Sequence, residues 1–358
     1  MTTRHALVGC GSRGIEHLQA LAAVPGAEIA ACCDLDPDRL AESADRFDVP
    51  LRATKIDDLA AAGALDLVHV ATMPSVRWPA VKALVDLRPR AILIEKPLAT
   101  LPSEAARMFA ACHEAGIGLF VNHQVPWHPA WPRVRRRLQA GAIGRITHVR
   151  ASSMGSLFEQ GSHLFDLLRY LLDDVASLAT DSHSATRPWL LAQATGERAR
   201  LPPHPGPAHT AGVLAVADDW HIAFECGCRS PRWPGTNAYW LNLGIEITGT
   251  RGTLGCSTNR GWWLHTPHES HSEARDYFDD DAPAQVAFLQ SVVRSLDNPD
   301  AHSCGPVQAR VPWNCILAAQ RSALLGCPVD PRQGASDQEV LRFRRRLAIS
   351  SDPCAESA

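Results

Sequence analysis

Gly9-Cys-Gly11-Ser-Arg-Gly14 follows an apolar run at residues 5–9. It opens a stretch in which Ile15, Leu18, Leu21 and Ala22 share one helical face. Glycines at this spacing between strand and helix have separate jobs. The first permits a tight turn, the second lets backbone approach a pyrophosphate, and the third lets helix pack on strand. The helix start, with Ser12 and Arg13 in its first turn, offers N–H groups and about half a positive charge to phosphates. Asp34 ends the next strand-like run, 20 residues after Gly14. A carboxylate there accepts ribose hydroxyls and repels a 2′-phosphate, so the expected cofactor is NAD rather than NADP. Arg13 and Arg39 are the nearby cations able to serve a 2′-phosphate. The competing reading is a loop that needs glycines and an aspartate that caps the following helix.

Four more apolar runs, at residues 28–33, 65–71, 91–94 and 117–121, alternate with helical patterns at 37–47, 78–87 and 103–115. Strands separated by helices predict a parallel, doubly wound sheet. After Asn122 the texture changes. Helices are expected at 133–140, 161–172, 284–296 and 307–325. Strands are expected at 146–153, 211–217, 221–226, 243–248, 253–256 and 261–265. The last five strands have no helix between them, which predicts an antiparallel sheet. The fold class is therefore α/β: an N-terminal Rossmann domain, plus a C-terminal α+β domain with an open, mainly antiparallel sheet. The expected division is 1–122 for cofactor, 123–334 for substrate and oligomerisation, and 335–358 for a terminal helix and loose tail. Residues 197–209 read as a surface loop, and the chain beyond Ser350 as loose.

With 358 residues, two domains are the prior. Lys+Arg is 35 and Asp+Glu is 38, a formal charge of −3, so no global field draws nucleic acid or an anionic membrane. No apolar run approaches the ~18 residues of a membrane helix. The 11 cysteines sit mostly in apolar runs without zinc-finger spacing, which predicts a reducing, cytoplasmic setting.

Lysine is scarce, only Lys55, Lys82 and Lys96, so each is worth inspecting. Lys96 lies in Glu95-Lys96-Pro97 at the carboxyl end of a parallel strand, where ligands bind in open α/β sheets. An ammonium there can hydrogen-bond a substrate hydroxyl and stabilise alkoxide character as hydride leaves. Pro97 fits a fixed turn, with a cis bond as one option. The plain alternative is a strand-end lysine in solvent. Further along, Glu159, His163 and Asp166 cluster at a helix start. His163 and Asp166 are i,i+3 and share a face, and Glu159 reaches His163 if the helix begins early. A carboxylate beside an imidazole equips a general base for a hydroxyl proton. The alternative is a helix-start histidine with polar neighbours, with Asp166 structural or substrate-orienting.

Together these segments resemble the Gfo/Idh/MocA family, glucose-fructose oxidoreductase, inositol dehydrogenase and their relatives. Gly9 to Gly14 matches the family's cofactor loop, Glu95-Lys-Pro97 its tripeptide, and Glu159 to Asp166 its Asp-x-Gly-x-His-x-x-Asp helix start. Gly141-Ala-Ile-Gly144 and Gly249-Thr-Arg-Gly-Thr-Leu254 resemble segments of its C-terminal domain. The similarity spans about residues 5–330. The resemblance implies that Lys96 contacts both nicotinamide ribose and substrate hydroxyl. It implies that His163 is the acid/base and that Glu159 assists it or holds substrate, with Thr72 and Glu95 on the cofactor side. It also implies a homodimer or homotetramer built through the C-terminal sheet. Two departures stand out: Glu159 replaces the usual Asp, and Arg77 and Trp78 follow Thr72 where the family carries a His.

The expected activity is NAD-dependent hydride transfer at a secondary alcohol or ketone of a sugar, cyclitol or related polyol. Alternatives are an NAD-using glycosidase of the same fold and a non-catalytic NAD-binding regulator. Asn122, His123 and Trp127 are further substrate-side candidates, and indole faces suit sugar C–H faces. Trp127 and Trp131 are equally readable as interior hydrophobes. No metal is expected. His265-x-x-His268-x-x-His271 reads as an exposed loop, and the arginines at 133, 135–137, 342 and 344–346 read as solvated helix faces.

Overall fold

The computed structural model describes residues 2–179, 187–198, 206–233 and 242–347. The structure resolves into two compact units. One comprises residues 1–124 and 282–309, the other residues 125–281 and 310–358.

The first unit is built on a six-stranded parallel sheet of β1 (Thr3–Val8), β2 (Ala27–Cys33), β3 (Leu51–Ala53), β4 (Leu67–Val70), β5 (Ala91–Glu95) and β6 (Gly118–Asn122). The order is β3-β2-β1-β4-β5-β6. Chain direction across the sheet reverses between β1 and β4, so a crevice opens outside their carboxyl ends. Every residue of β4, β5 and β6 is buried, the mark of strands covered on both faces. The helices are α1 (Ser12–Ala22), α2 (Pro37–Arg46), α3 (Arg77–Asp86) and α4 (Pro102–Glu114). On the α1–α2 side, Leu7, Cys10, Leu18, Cys32, Leu40, Ala44 and Val49 form one buried cluster. Each large aliphatic side chain there contributes about 1.5–3 kcal/mol by leaving water.

The second unit holds α5 (Ala130–Gln139), α6 (Gly161–Leu171) and the short α7 (Asp173–Ala176). Its sheet has eight strands: β7 (Ile146–Ser153), β8 (Trp189–Arg198), β9 (Pro207–Ala215), β10 (Ile222–Gly227), β11 (Leu243–Gly249), β12 (Gly252–Ser257), β13 (Gly261–His265) and β14 (Ser270–Glu273). The order is β14-β13-β12-β11-β7-β10-β9-β8, antiparallel throughout except for the β7–β10 pair. α8 (Tyr277–Arg294) spans the division between the units, while α9 (Arg310–Leu325) and α10 (Asp337–Arg346) belong to the second.

Residues 282–309 therefore cluster with the six-stranded parallel sheet, whereas the sequence division placed them in the 123–334 domain. The contacts that tie them lie at β6 and at Arg90, just before β5. The Val121 amide donates to the Cys304 carbonyl at 3.0 Å. Gly118 leaves room for Pro299, whose Cγ would lie 2.7 Å from an added Cβ. Arg90 pairs with Asp297 at 2.6 Å.

The expected loop at 197–209 is entered by β8 up to Arg198 and left by β9 from Pro207. The rest of it, and the tail beyond Ser350, lie outside the described residues. Residues 265–271 form the β13–β14 hairpin. His271 stacks on Trp262 at 4.4 Å, and His265 bonds Ser270 at 2.9 Å. The solvated-arginine expectation needs correcting at two positions. Arg344 is buried over the Phe158 ring, and Arg135 lies 4.6 Å from the Tyr170 ring centroid. A guanidinium stacks on aromatic faces at little desolvation cost, which charge-run reasoning overlooks.

Candidate active site

The glycine loop takes the conformation its spacing demands. Gly9 has φ +97°, a region that disfavours side chains, and an added Cβ would lie 3.0 Å from the Ala71 carbonyl carbon. At Gly14 a Cβ would fall 2.0 Å from the Gly9 oxygen, so only glycine lets α1 pack this close to β1. At Gly11 a Cβ meets no atom within 4 Å. That open space lies at a helix start no side chain caps, a setting that suits a pyrophosphate.

Asp34 stands at the end of β2, and its carboxylate braces the loop. Oδ2 accepts the Cys10 amide at 2.6 Å and Oδ1 accepts the Asp36 amide at 2.8 Å. The helix cap is Asp36, which accepts the Asp38 and Arg39 amides, so Asp34 is not the cap of α2. A carboxylate has about four acceptor sites, so Asp34 keeps capacity for a ribose diol. The two neighbouring arginines are committed elsewhere. Arg39 pairs with Asp36 at 2.8 Å, and Arg13 reaches Glu16 and, at 3.0 Å, Glu95. Across the crevice, Thr72 follows β4. Its buried hydroxyl has no partner among the described residues, and an added Cβ at Gly9 would lie 3.2 Å from its Cγ2. The open cradle at Gly11 and this orphaned hydroxyl fit a bound dinucleotide.

Glu95 ends β5 and is 4% exposed. It accepts Arg13 at 3.0 Å, His17 at 2.9 Å and Asn122 at 2.5 Å. Burial alone would raise its pKa. The charge of Arg13, the hydrogen bond from His17 and the charge of Lys96 outweigh burial and hold the carboxyl well below its usual range. Asn122, expected to face substrate, instead turns inward. Its amide nitrogen serves Glu95, and its oxygen accepts Gln285 at 3.1 Å. His123 is buried beside it, its carbonyl 3.7 Å from the Cys304 thiol. The Lys96–Pro97 bond is cis.

Arg77 accounts for one departure from the family pattern. It is 1% exposed and donates to the carbonyls of Thr72 at 2.7 Å, Leu98 at 3.3 Å, and Pro97. It thus ties the turn after β4 to the turn that carries Lys96. Burial pushes its pKa down to about 10, against the pull of Glu95 and Glu104. Sequence reading flagged Arg77 only as a departure and did not flag His17 or Gln285 at all. The Glu95 partners come from α1 and β6, with Gln285 of α8 behind Asn122, and only the fold brings them together.

In the second unit α6 begins at Gly161 with Gln160 as its N-cap, so Glu159 precedes the helix. It lies in the turn closed by the Glu159 and Gln160 amides on the Ser156 carbonyl. His163 and Asp166 are both buried on α6. Asp166 Oδ1 is held by Arg169 at 2.7 and 3.1 Å. Trp127 is half-buried in a 3-10 turn, whereas Trp131, 1% exposed, is part of the interior.

Residues 3–123 match the family model described as "Oxidoreductase family, NAD-binding Rossmann fold". The chain is 33% identical over 280 residues to D-apiose dehydrogenase of Paraburkholderia graminis, covering 73% of this chain and 69% of that protein. It is 29% identical over 357 residues to myo-inositol dehydrogenase Hyg17 of Streptomyces leeuwenhoekii, covering 91% and 99% respectively. In fold it is similar to an oxidoreductase from Agrobacterium radiobacter solved with NAD+, L-tartaric acid and magnesium. There the TM-score is 0.78 at 23% identity, over 92% of this chain and 99% of that one. With the glycine cradle, the Glu95-Lys96-Pro97 turn and these matches in agreement, the chain belongs to the Gfo/Idh/MocA family of oxidoreductases.

Proposed function

We propose that this chain is an NAD-dependent dehydrogenase acting on a secondary alcohol of a sugar, cyclitol or related polyol. The observation that carries this reading is the anchored Glu95 beside Lys96, at the carboxyl end of the same sheet that holds the glycine cradle. The D-apiose and myo-inositol dehydrogenases among its relatives support the substrate class. NAD, when bound, supplies the hydride acceptor at its nicotinamide ring. Gly9, Gly11, Ser12, Arg13, Gly14, Asp34, Thr72 and Glu95 shape the cofactor side. Lys96 donates a hydrogen bond to the substrate oxygen, favouring alkoxide character there. His163 accepts the hydroxyl proton, with Glu159 and Asp166 setting its surroundings. Trp127 and His123 face substrate. NAD is favoured over NADP because Asp34 repels a 2′-phosphate while Arg39 and Arg13 are engaged by carboxylates.

The test is a sugar and polyol panel with NAD, followed by nicotinamide absorbance and product analysis. NADH formation with a ketone product is expected. Glycoside cleavage without net NADH would replace this reading with an NAD-using glycosidase. Asp34→Ala should weaken NAD roughly tenfold or more, about 1.4 kcal/mol, with little effect on NADP. Equal losses would undo the cofactor preference.

A further inference from the structure

Behind Glu95 lies a row of three histidines with no exposed surface: His17 on α1, His69 on β4 and His5 on β1. His17 Nε2 lies 2.9 Å from Glu95, and His17 Nδ1 lies 3.0 Å from His69 Nδ1. His69 Nε2 lies 3.2 Å from His5 Nδ1, and His5 Nε2 lies 2.8 Å from the Thr3 hydroxyl. All the ring nitrogens are thus engaged. Apolar residues would fill these strand and helix positions without needing partners, so the row calls for a reason.

Direction supplies one. A neutral imidazole has one donor and one acceptor, and a carboxylate only accepts. With Glu95 ionised, His17 must carry its proton on Nε2. Its Nδ1 then accepts from His69 Nδ1–H, His69 Nε2 accepts from His5 Nδ1–H, and His5 Nε2 accepts from Thr3. A single set of tautomers satisfies the whole row, and every bond points toward Glu95. Such a chain polarises toward its acceptor. We propose that His17, His69 and His5 are positioning residues, a one-way hydrogen-bond relay that holds the Glu95 carboxylate ionised and aimed beside Lys96. Burial keeps the two outer rings neutral, as the relay requires. It pushes His5 down to about 4, against the pull of Asp66, and His69 well below its usual value. The other charged groups around the row are Arg13 and Glu16 on α1, Lys96 after β5, Arg77 on α3, and Asp66 with its partners Arg4 and Arg90.

The kinetic consequence rests on the reading of Lys96 above; the tautomers do not. In 15N-labelled protein, long-range imidazole correlation spectra at neutral pH should show His17 as Nε2–H. They should show His69 and His5 as Nδ1–H, the less populated tautomer in water. Nε2–H at His69, or a charged ring there, overturns the relay. His69→Asn keeps an amide donor toward His17 Nδ1 but loses the link to His5, whereas His69→Leu removes both. At unchanged NAD affinity, kcat/KM should fall about tenfold in His69→Leu and recover to within about threefold of wild type in His69→Asn. Packing alone predicts the reverse order, since Leu suits a buried strand better than Asn. Equal losses, or none, would refute the relay. If no polyol is turned over, the dehydrogenase reading fails and the tautomers alone decide the relay.

Discussion

At Gly14 a methyl group would come within 2.0 Å of the Gly9 carbonyl oxygen, whereas at Gly11 it would meet nothing within 4 Å. The two glycines therefore answer to different constraints, one to packing and one to ligand. Gly14→Ala should destabilise the protein by about 1–3 kcal/mol, read by urea unfolding, because backbone has to give way. Gly11→Ala should leave stability within about 0.5 kcal/mol, since its φ of −74° suits alanine. It should nonetheless weaken NAD roughly tenfold, measured by calorimetry. The opposite pattern would mean that the open space at Gly11 is not the cofactor's. The glycine spacing and Asp34 are readable in sequence because they are local. Asn122 is not, because its direction is decided by Glu95 and Gln285, residues 27 and 163 positions away.

At the scale of elements, the turns after β4 and β5 are held together by one buried guanidinium. Arg77→Met keeps the apolar stem but leaves the carbonyls of Thr72, Pro97 and Leu98 without that donor. Unfolding free energy should drop by about 2–3 kcal/mol, with kcat reduced because the Lys96 turn loses its tether. An unchanged urea midpoint would show that these turns do not depend on it. The long apolar strands were legible because burial on both faces writes itself as Val, Ile and Leu. Three strands were not. β3 has only three residues, β14 reads Ser-His-Ser-Glu and pairs through its backbone, and β8 holds Leu, Ala and Gln with little β propensity. The histidine row escaped notice for another reason. His69 faces Leu7 across the β1–β4 ladder, and that register brings it to His5 only in the folded sheet.

For the whole molecule, composition and alternation were enough for the fold class, but not for the return of residues 282–309 to the first unit, a matter of long-range packing. The second unit leaves a face of its sheet to be explained. On β8, Leu190 and Ala192 are buried, and the Ala192 amide bonds Ser322 of α9. Trp189 and Leu191 point the other way, 40% and 37% exposed. We expect this face to be covered by a second copy of the chain. Trp189→Lys should then shift the mass found by light scattering toward monomer, and a monomeric wild type would contradict the expectation. Lys96 is proposed to serve hydride transfer rather than cofactor binding. The most direct measurement compares wild type with Lys96→Ala, on a polyol that gives NADH, alongside NAD affinity by calorimetry. Turnover should fall by about 10³-fold or more with NAD affinity within about threefold; near-native turnover in Lys96→Ala would remove Lys96 from the hydride step.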